Sequence, residues 1–304
     1  MNASPRSKFR AYSGSAYTIA LPEGHRFPMY KYIGVREIVA NELHLEIFDP
    51  PRPSWQQVER VHHDAYLKKL NFGTLEPKEL RLLGLPWSPN LVERALRATG
   101  GTLAATRDAL NVGLGINLAG GTHHAYPDHG EGFCTLNDVA ITILDLLEHQ
   151  NFNRILVLDL DVHQGNGTAH IFKSDPRVFT LSVHGERNYP FHKERSALDI
   201  GLPDWITDND YFAVMESQVF PALEAFKPQL VFYLAGVDVL AKDRFGRFSL
   251  SIEGAKARDS KVFSWCKASS VPVVSLMSGG YNRDPGVTIE AHANTVRAAL
   301  EIFE

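Results

Sequence analysis

Short apolar runs that stop abruptly at Gly, Asn or Asp alternate along the chain with longer stretches in which apolar residues recur every three or four positions. The short runs predict strands: Leu114 to Leu118, Ile155 to Asp159, Val178 to Val183, Leu230 to Ala235 and Val273 to Met277. They are rich in branched residues and apolar at consecutive positions, as expected of strands covered on both faces. The longer stretches predict helices. Leu91 to Asn111 gathers Val92, Ala95, Leu96, Leu103 and Leu110, and Leu136 to Glu148 gathers Val139, Ala140, Ile143, Leu144 and Leu147, with Thr135 placed to cap its first turn. Asp210 to Phe226 and Glu253 to Ala268 behave alike, although Pro221 should kink or interrupt the former because it has no N–H to donate. Pro50-Pro51-Arg52-Pro53 and Gly84 to Pro89 read as loops, and neither separates two cores. Strands alternating with helices predict βαβ units, hence a single α/β domain over residues 1–304, three-layer α/β/α around a central, mostly parallel sheet.

Parallel sheets bind ligands beyond the carboxyl ends of their strands, so the residues that follow each apolar run carry the functional information. Ile155 to Leu158 leads into Asp159-Leu160-Asp161-Val162-His163 and then Gly165-Asn166-Gly167. If the strand alternation continues, Asp159, Asp161 and His163 face one side and Leu160 and Val162 the other. Gly120-Gly121-Thr122-His123-His124 follows the first predicted strand, Gly236-Val237-Asp238 the fourth, and Ser278-Gly279-Gly280-Tyr281 the fifth. Each group has a plain structural reading: an Asp capping a helix, a hydrogen-bonded loop histidine, an aromatic after a glycine turn. Ionisable groups clustered on a buried strand face nonetheless cost several kcal/mol unless a cation or a tight hydrogen-bond network compensates them. Together they supply the parts of a mononuclear metal hydrolase: two carboxylates and an imidazole as ligands, an open position for water, a base and an oxyanion donor.

Composition narrows the field. A chain of 304 residues with 44% hydrophobic and 22% charged residues is ordinary for a globular protein. The formal net charge of −4 and pI near 6.4 argue against nucleic-acid binding through a strongly basic face. Two cysteines, Cys134 and Cys266, and the lack of an apolar run of membrane-span length predict a reduced protein without a membrane span. Met1 to Gly14 is polar, with Arg6, Lys8 and Arg10, and no secretion-type apolar core follows, so a cytoplasmic location is expected if the source is bacterial.

Gly120-Gly121-x-His123-His124, Gly130-x-Gly132-Phe133-Cys134, Asp159-x-Asp161-x-His163-x-Gly165-Asn166-Gly167, Ala235-Gly236-x-Asp238 and Gly279-Gly280-Tyr281 resemble, in order and spacing, the motifs of zinc-dependent histone deacetylases and their bacterial relatives. The similarity runs from about Gly100 to Tyr281. Asp161-Val-His-Gln164-Gly-Asn166-Gly and Asp238-Val-Leu-x-x-Asp243-Arg244 look most like the class IV branch. The resemblance implies an arginase/deacetylase-like fold and a zinc site formed by Asp161, His163 and Asp238, a donor set that would also accept Fe²⁺. It implies that His123 and His124 are the tandem histidines, His124 being the proton shuttle, that Asp159 orients His123, and that Tyr281 polarises the substrate carbonyl. Gly132 and Phe133 would line one wall of an acyl-lysine tunnel and Tyr189 the other.

It further implies K⁺ or Na⁺ as structural ions, one beside Asp159, Asp161, His163, Ser182 and Val183 and a second near Phe172, Asp175, Val178 and Tyr211. Arg26 would line an internal product channel, as an arginine does in some relatives. Where class I relatives carry Asp, this chain has Asn166, so His124 would face a neutral amide and be less basic, and Asn166→Asp should raise the acidic limb of the rate profile. Phe245 stands where relatives often place a smaller or more flexible apolar residue and should narrow or reshape the pocket. Several other histidines, His62, His63, His149, His170 and His292, are expected on surfaces or in satisfied hydrogen bonds, whereas His184 and His192 flank a loop near the site. The implied reaction is hydrolysis of acetyl or long-chain fatty acyl groups from lysine amides of proteins or peptides. Acetylpolyamine hydrolysis, on a small acylated amine, is the alternative; an inactive acyl-lysine binder and an arginase-type dimetal hydrolase have less support.

Overall fold

In a computed structural model, residues 7–304 are described; of the basic residues near the start, Arg6 lies outside them. Eight strands form one all-parallel sheet: β1 Arg10–Tyr12, β2 Glu46–Phe48, β3 Leu114–Asn117, β4 Ile155–Asp159, β5 Val178–Gly185, β6 Leu198–Leu202, β7 Leu230–Leu234 and β8 Val273–Leu276. Their order is β2-β1-β3-β8-β7-β4-β5-β6. The sheet is thus entirely, not mostly, parallel, and three strands escape the hydrophobic pattern. At three residues each, β1 and β2 are too short to show a period, and β6 alternates exposed and buried positions at the sheet edge.

The helices fall into two packed groups that sandwich the sheet. Pro89–Val112 packs on β3 and on Asp138–His149, and Pro285–Phe303 packs between Tyr30–Asn41 and Ile252–Ala268. The cap of Asp138–His149 is Asn137, whose Oδ1 accepts from the Ala140 N–H at 2.9 Å, and not the expected Thr135, which lies two residues before it. Around Pro221 the predicted interruption takes the form of a π-helical turn, Met215–Val219, between helices Asp208–Val214 and Phe220–Phe226.

Sheet order decides what meets what. The four central neighbours β3, β8, β7 and β4 are the four strands whose following loops carry the polar motifs. Their ends are level, since Asn117 pairs with Leu276, Leu276 with Leu234, and Leu234 with Asp159. Residues more than a hundred positions apart in sequence therefore emerge side by side at one edge. Beneath them Arg258, fully buried, donates to Leu160 O (3.2 Å) and Gly236 O (2.8 Å) and pairs with Asp259, bracing the chain where it leaves β4 and β7.

Candidate active site

At the tip of β4 the chain stops being extended. Asp159 ends the strand, and from there each acid accepts the N–H two residues on: Asp161 N to Asp159 Oδ1 at 3.1 Å, His163 N to Asp161 Oδ1 at 2.9 Å. The three side chains are therefore set by successive Asx turns, not by the strand alternation inferred from sequence. Asp159 turns to His123 Nδ1 (2.6 Å), whereas Asp161 and Asp238 both face His163 Nδ1, at 3.0 and 3.1 Å. The carboxylate that opens the motif and the one that follows it serve different partners.

Ligand atoms of Asp161, His163 and Asp238, all buried, lie within 4.8 Å of one another. Two carboxylates share one imidazole there. Burial opposes ionisation of Asp161, but His123 and His163 outweigh it and hold its carboxyl well below the usual range. Burial and the Asp161 charge push Asp238 up to about 7; burial would depress His163, yet the two carboxylates raise it to about 10. A buried trio with surplus negative charge, held in place by Val162 N on Asp238 Oδ1 and by Gly279 N and Ser278 Oγ on Asp161 Oδ2, has the donor chemistry of a divalent-cation site. Gly279 is required at this approach because a Cβ there would collide with the Asp238 and Asp161 carboxylates.

The tandem histidines occupy unlike environments. Burial alone would lower the His123 pKa, but Asp159 and Asp161 raise it to about 9. Burial and the neighbouring His123 and His163 charges push His124 well below its ordinary value. His124 Nδ1 meets Asn166 Oδ1 at 2.6 Å, and Asn166 Nδ2 donates to Glu131 Oε1 at 3.0 Å. Because a carboxylate can only accept, Glu131 fixes which way the amide points, and Oδ1 must face His124. Glu131 also accepts from the Tyr189 hydroxyl and lies 3.4 Å from His129 Nε2. Asn166 is therefore not an isolated neutral partner. It relays between His124 and a carboxylate one residue farther out, which in the sequence is only the variable position of Gly130-x-Gly132.

Tyr281 follows β8, its backbone N–H held by Asp243 (2.7 Å), whose carboxylate also accepts from Phe245 and Gly246. Burial, then the Asp161 and Asp238 charges, push the Tyr281 phenol far above its usual value, so the hydroxyl stays protonated as a donor. Its ring lies 5.0 Å from Phe245 and 6.1 Å from Phe133, and Tyr189 stacks edge-on against His124 at 5.1 Å. Gly132 adopts φ +55°, and a Cβ there would press on His124. These aromatic walls open to the surface through a cavity of about 1010 Å³. Inward, beside Phe27, Tyr32 and Arg94, lies a second cavity of about 40 Å³.

The expected product-channel arginine is corrected by this geometry. Arg26 is exposed at the outer mouth, 5.5 Å above the Phe245 ring, and the arginine beside the inner cavity is Arg94, buried and bonded to Tyr32 Oη at 2.7 Å. Two distal histidines also differ from expectation. His292 is buried with neither ring nitrogen hydrogen-bonded, and His62 is buried with only Nε2 engaged, by Asn137 N, among the described residues. Neither His184 nor His192 lines the mouth; from their loop it is Arg187, Asn188, Tyr189 and Phe191 that do. Asp138, likewise unanticipated, accepts Gly121 N (3.1 Å) and Thr122 N (2.8 Å) and so sets the loop that presents the histidine pair.

A model of the histone deacetylase domain matches residues 25–297. The chain belongs to the histone deacetylase family. It is 41% identical over 290 residues to an uncharacterized protein of Picosynechococcus sp., covering 94% of this chain and 97% of that one. It is 30% identical to histone deacetylase 2 of Arabidopsis thaliana (91% and 76% covered) and 28% identical to histone deacetylase 1 of Homo sapiens, of which it spans only 60%. The all-parallel, helix-flanked sheet fits the arginase/deacetylase fold, and no helix among the described residues is long and apolar enough to cross a membrane.

Proposed function

We propose that this histone deacetylase family member is a zinc-dependent amidohydrolase that removes short acyl groups, acetyl foremost, from lysine side chains of proteins or peptides. The observation that carries this reading is the convergence of His124, Tyr281 and the Asp161–His163–Asp238 trio at the foot of an aromatic-walled passage. Asp161, His163 and Asp238 would hold the metal, zinc or alternatively Fe²⁺, which when bound supplies a Lewis acid that acidifies water and polarises the amide carbonyl.

The chain's own groups divide the remaining work. With Nδ1 committed to Asn166, His124 keeps its proton there and leaves Nε2 as the base that accepts the proton of the attacking water. His123, raised to about 9, is charged at neutral pH and disfavours premature protonation of His124. Tyr281 donates its hydroxyl to the developing oxyanion, a contribution of about 3 kcal/mol for a well-placed donor. His124 then returns the proton to the departing lysine amine. Gly132, Phe133, Tyr189 and Phe245 flank the lysine methylenes. Structural K⁺ or Na⁺ beside Ser182 and Val183, and near Phe172 and Tyr211, belongs to the same reading.

Two alternatives lose ground to specific observations. An inner cavity of about 40 Å³ has room for roughly three waters, enough for an acetyl methyl and not for a fatty chain. The mouth carries five arginines, which repel a polycationic acetylpolyamine. A side-by-side assay of acetyl-lysine peptide, long-chain acyl-lysine peptide and acetylpolyamine, with and without chelator, tests the reading. Chelator-sensitive turnover of the acetyl peptide is expected; chelator-resistant turnover, or a preference for either other substrate, would overturn it.

A further inference from the structure

The mouth of the site is charged opposite to the protein. Arg26, Arg81, Arg187, Arg244 and Arg247 line it, all exposed, against only Glu23 and Asp243 among the described residues, on a chain whose formal net charge is −4. Asp243 is committed to three backbone N–H groups. Asp204 lies 3.2 Å from Arg247 and 3.9 Å from Arg187, whereas Arg26, Arg81 and Arg244 have no carboxylate partner among the described residues. These arginines come from four separate stretches of sequence and gather only around this opening.

We propose that this rim selects acyl-lysine side chains presented in an acidic polypeptide segment, the arginines taking Asp or Glu side chains that flank the modified lysine. The inference rests on the deacetylase reading of the site below and deepens it by naming the substrate class. The acyl group cannot be what the guanidiniums contact, because Phe133, Tyr189, Phe245 and Tyr281 line the passage between rim and trio. Guanidinium matches carboxylate in a two-pronged geometry that lysine cannot offer. Phe191 and Trp205, 80% and 69% exposed beside the arginines, give the same segment apolar contact. Exposed charge pairs are individually weak, so two engaged flanking carboxylates multiply to about a tenfold preference, and salt should erode it.

The test uses the full chain and three acetyl-lysine peptides of equal length, flanked by Glu, by Gln or by Lys. The Glu peptide should exceed the Gln peptide in kcat/KM by about tenfold, mainly through KM, and the Lys peptide should fall below it. The Glu-to-Gln ratio should approach one in about 1 M salt and in Arg81→Gln/Arg244→Gln. Equal kcat/KM for the three peptides, or a ratio untouched by salt and by the double variant, overturns the proposal while leaving the deacetylase reading intact. If even the Gln peptide is not hydrolysed, the deacetylase reading fails separately. Fluorescence anisotropy of the labelled peptides then decides the rim: tighter Glu-peptide binding supports it and equal binding refutes it.

Discussion

Replacing Asn166 by Asp in this chain should do almost nothing to the basicity of His124 unless Glu131 is neutralised as well. Asn166 Nδ2 sits 3.0 Å from Glu131 Oε1. Burial works to raise the Glu131 pKa, but hydrogen bonds from His129, Tyr189 and Asn166 outweigh it and leave the carboxyl below its ordinary value, charged at neutral pH. A second carboxylate at that separation meets repulsion on the order of 5 kcal/mol at an effective dielectric of about 20. At about 1.4 kcal/mol per pKa unit, this keeps one proton on the pair at neutral pH. The introduced carboxyl, once protonated, would donate to Glu131 and turn its carbonyl to His124, reproducing what Asn166 does. In Asn166→Asp/Glu131→Gln the amide of Gln can donate to the introduced carboxylate in its charged form, which then faces His124 Nδ1 alone. An adjacent opposite charge raises an imidazole pKa, and the base must be neutral to act. The acidic limb of the kcat/KM profile should therefore move up by about 1 to 2 pH units in the double variant and scarcely in the single one. Profiles of wild type and both variants on one acetyl-lysine peptide decide it. A single variant that shifts as far as the double, or a double variant that does not shift, refutes the relay.

Other outcomes follow from the same contacts. His124→Ala and Tyr281→Phe should each lower kcat by about 10²- to 10³-fold with metal content unchanged, measured together by kinetics and elemental analysis. Asp238→Ala should instead empty the metal site, and undiminished zinc after dialysis would sink the ligand assignment. Arg258→Met strands the Asp259 carboxylate in the core and should cost about 3 to 5 kcal/mol in denaturant unfolding; a cost under about 1 kcal/mol would show that the brace is dispensable. Burial holds His62 down to about 4. The unfolded chain takes up that proton near pH 6.5 and the folded chain only near 4, so about 3 kcal/mol of stability is lost as pH falls between them. His62→Gln, which keeps an acceptor for Asn137 N, should flatten that slope, and an unchanged slope would place the acid sensitivity elsewhere.

The apolar runs are enough to locate the five buried strands β3, β4, β5, β7 and β8, because a strand covered on both faces is apolar along most of its length. They cannot reveal β1, β2 or β6, which are too short or too exposed to leave a pattern. Motif order likewise marks the residues gathered at the strand ends, and the residues alone suggest a metal hydrolase, since few other chemistries explain two carboxylates and an imidazole in so apolar a setting. Three things waited for the tertiary structure. Sheet order placed β3, β8, β7 and β4 side by side, a long-range pairing that no local pattern encodes. The Asx turns beyond Asp159, which carry out the division that the motif resemblance implies (Asp159 to His123, Asp161 to the trio), are a backbone geometry that strand alternation does not predict. Glu131 and the rim arginines acquire their roles only through neighbours distant in sequence, because one exposed arginine says nothing until four others surround the same opening.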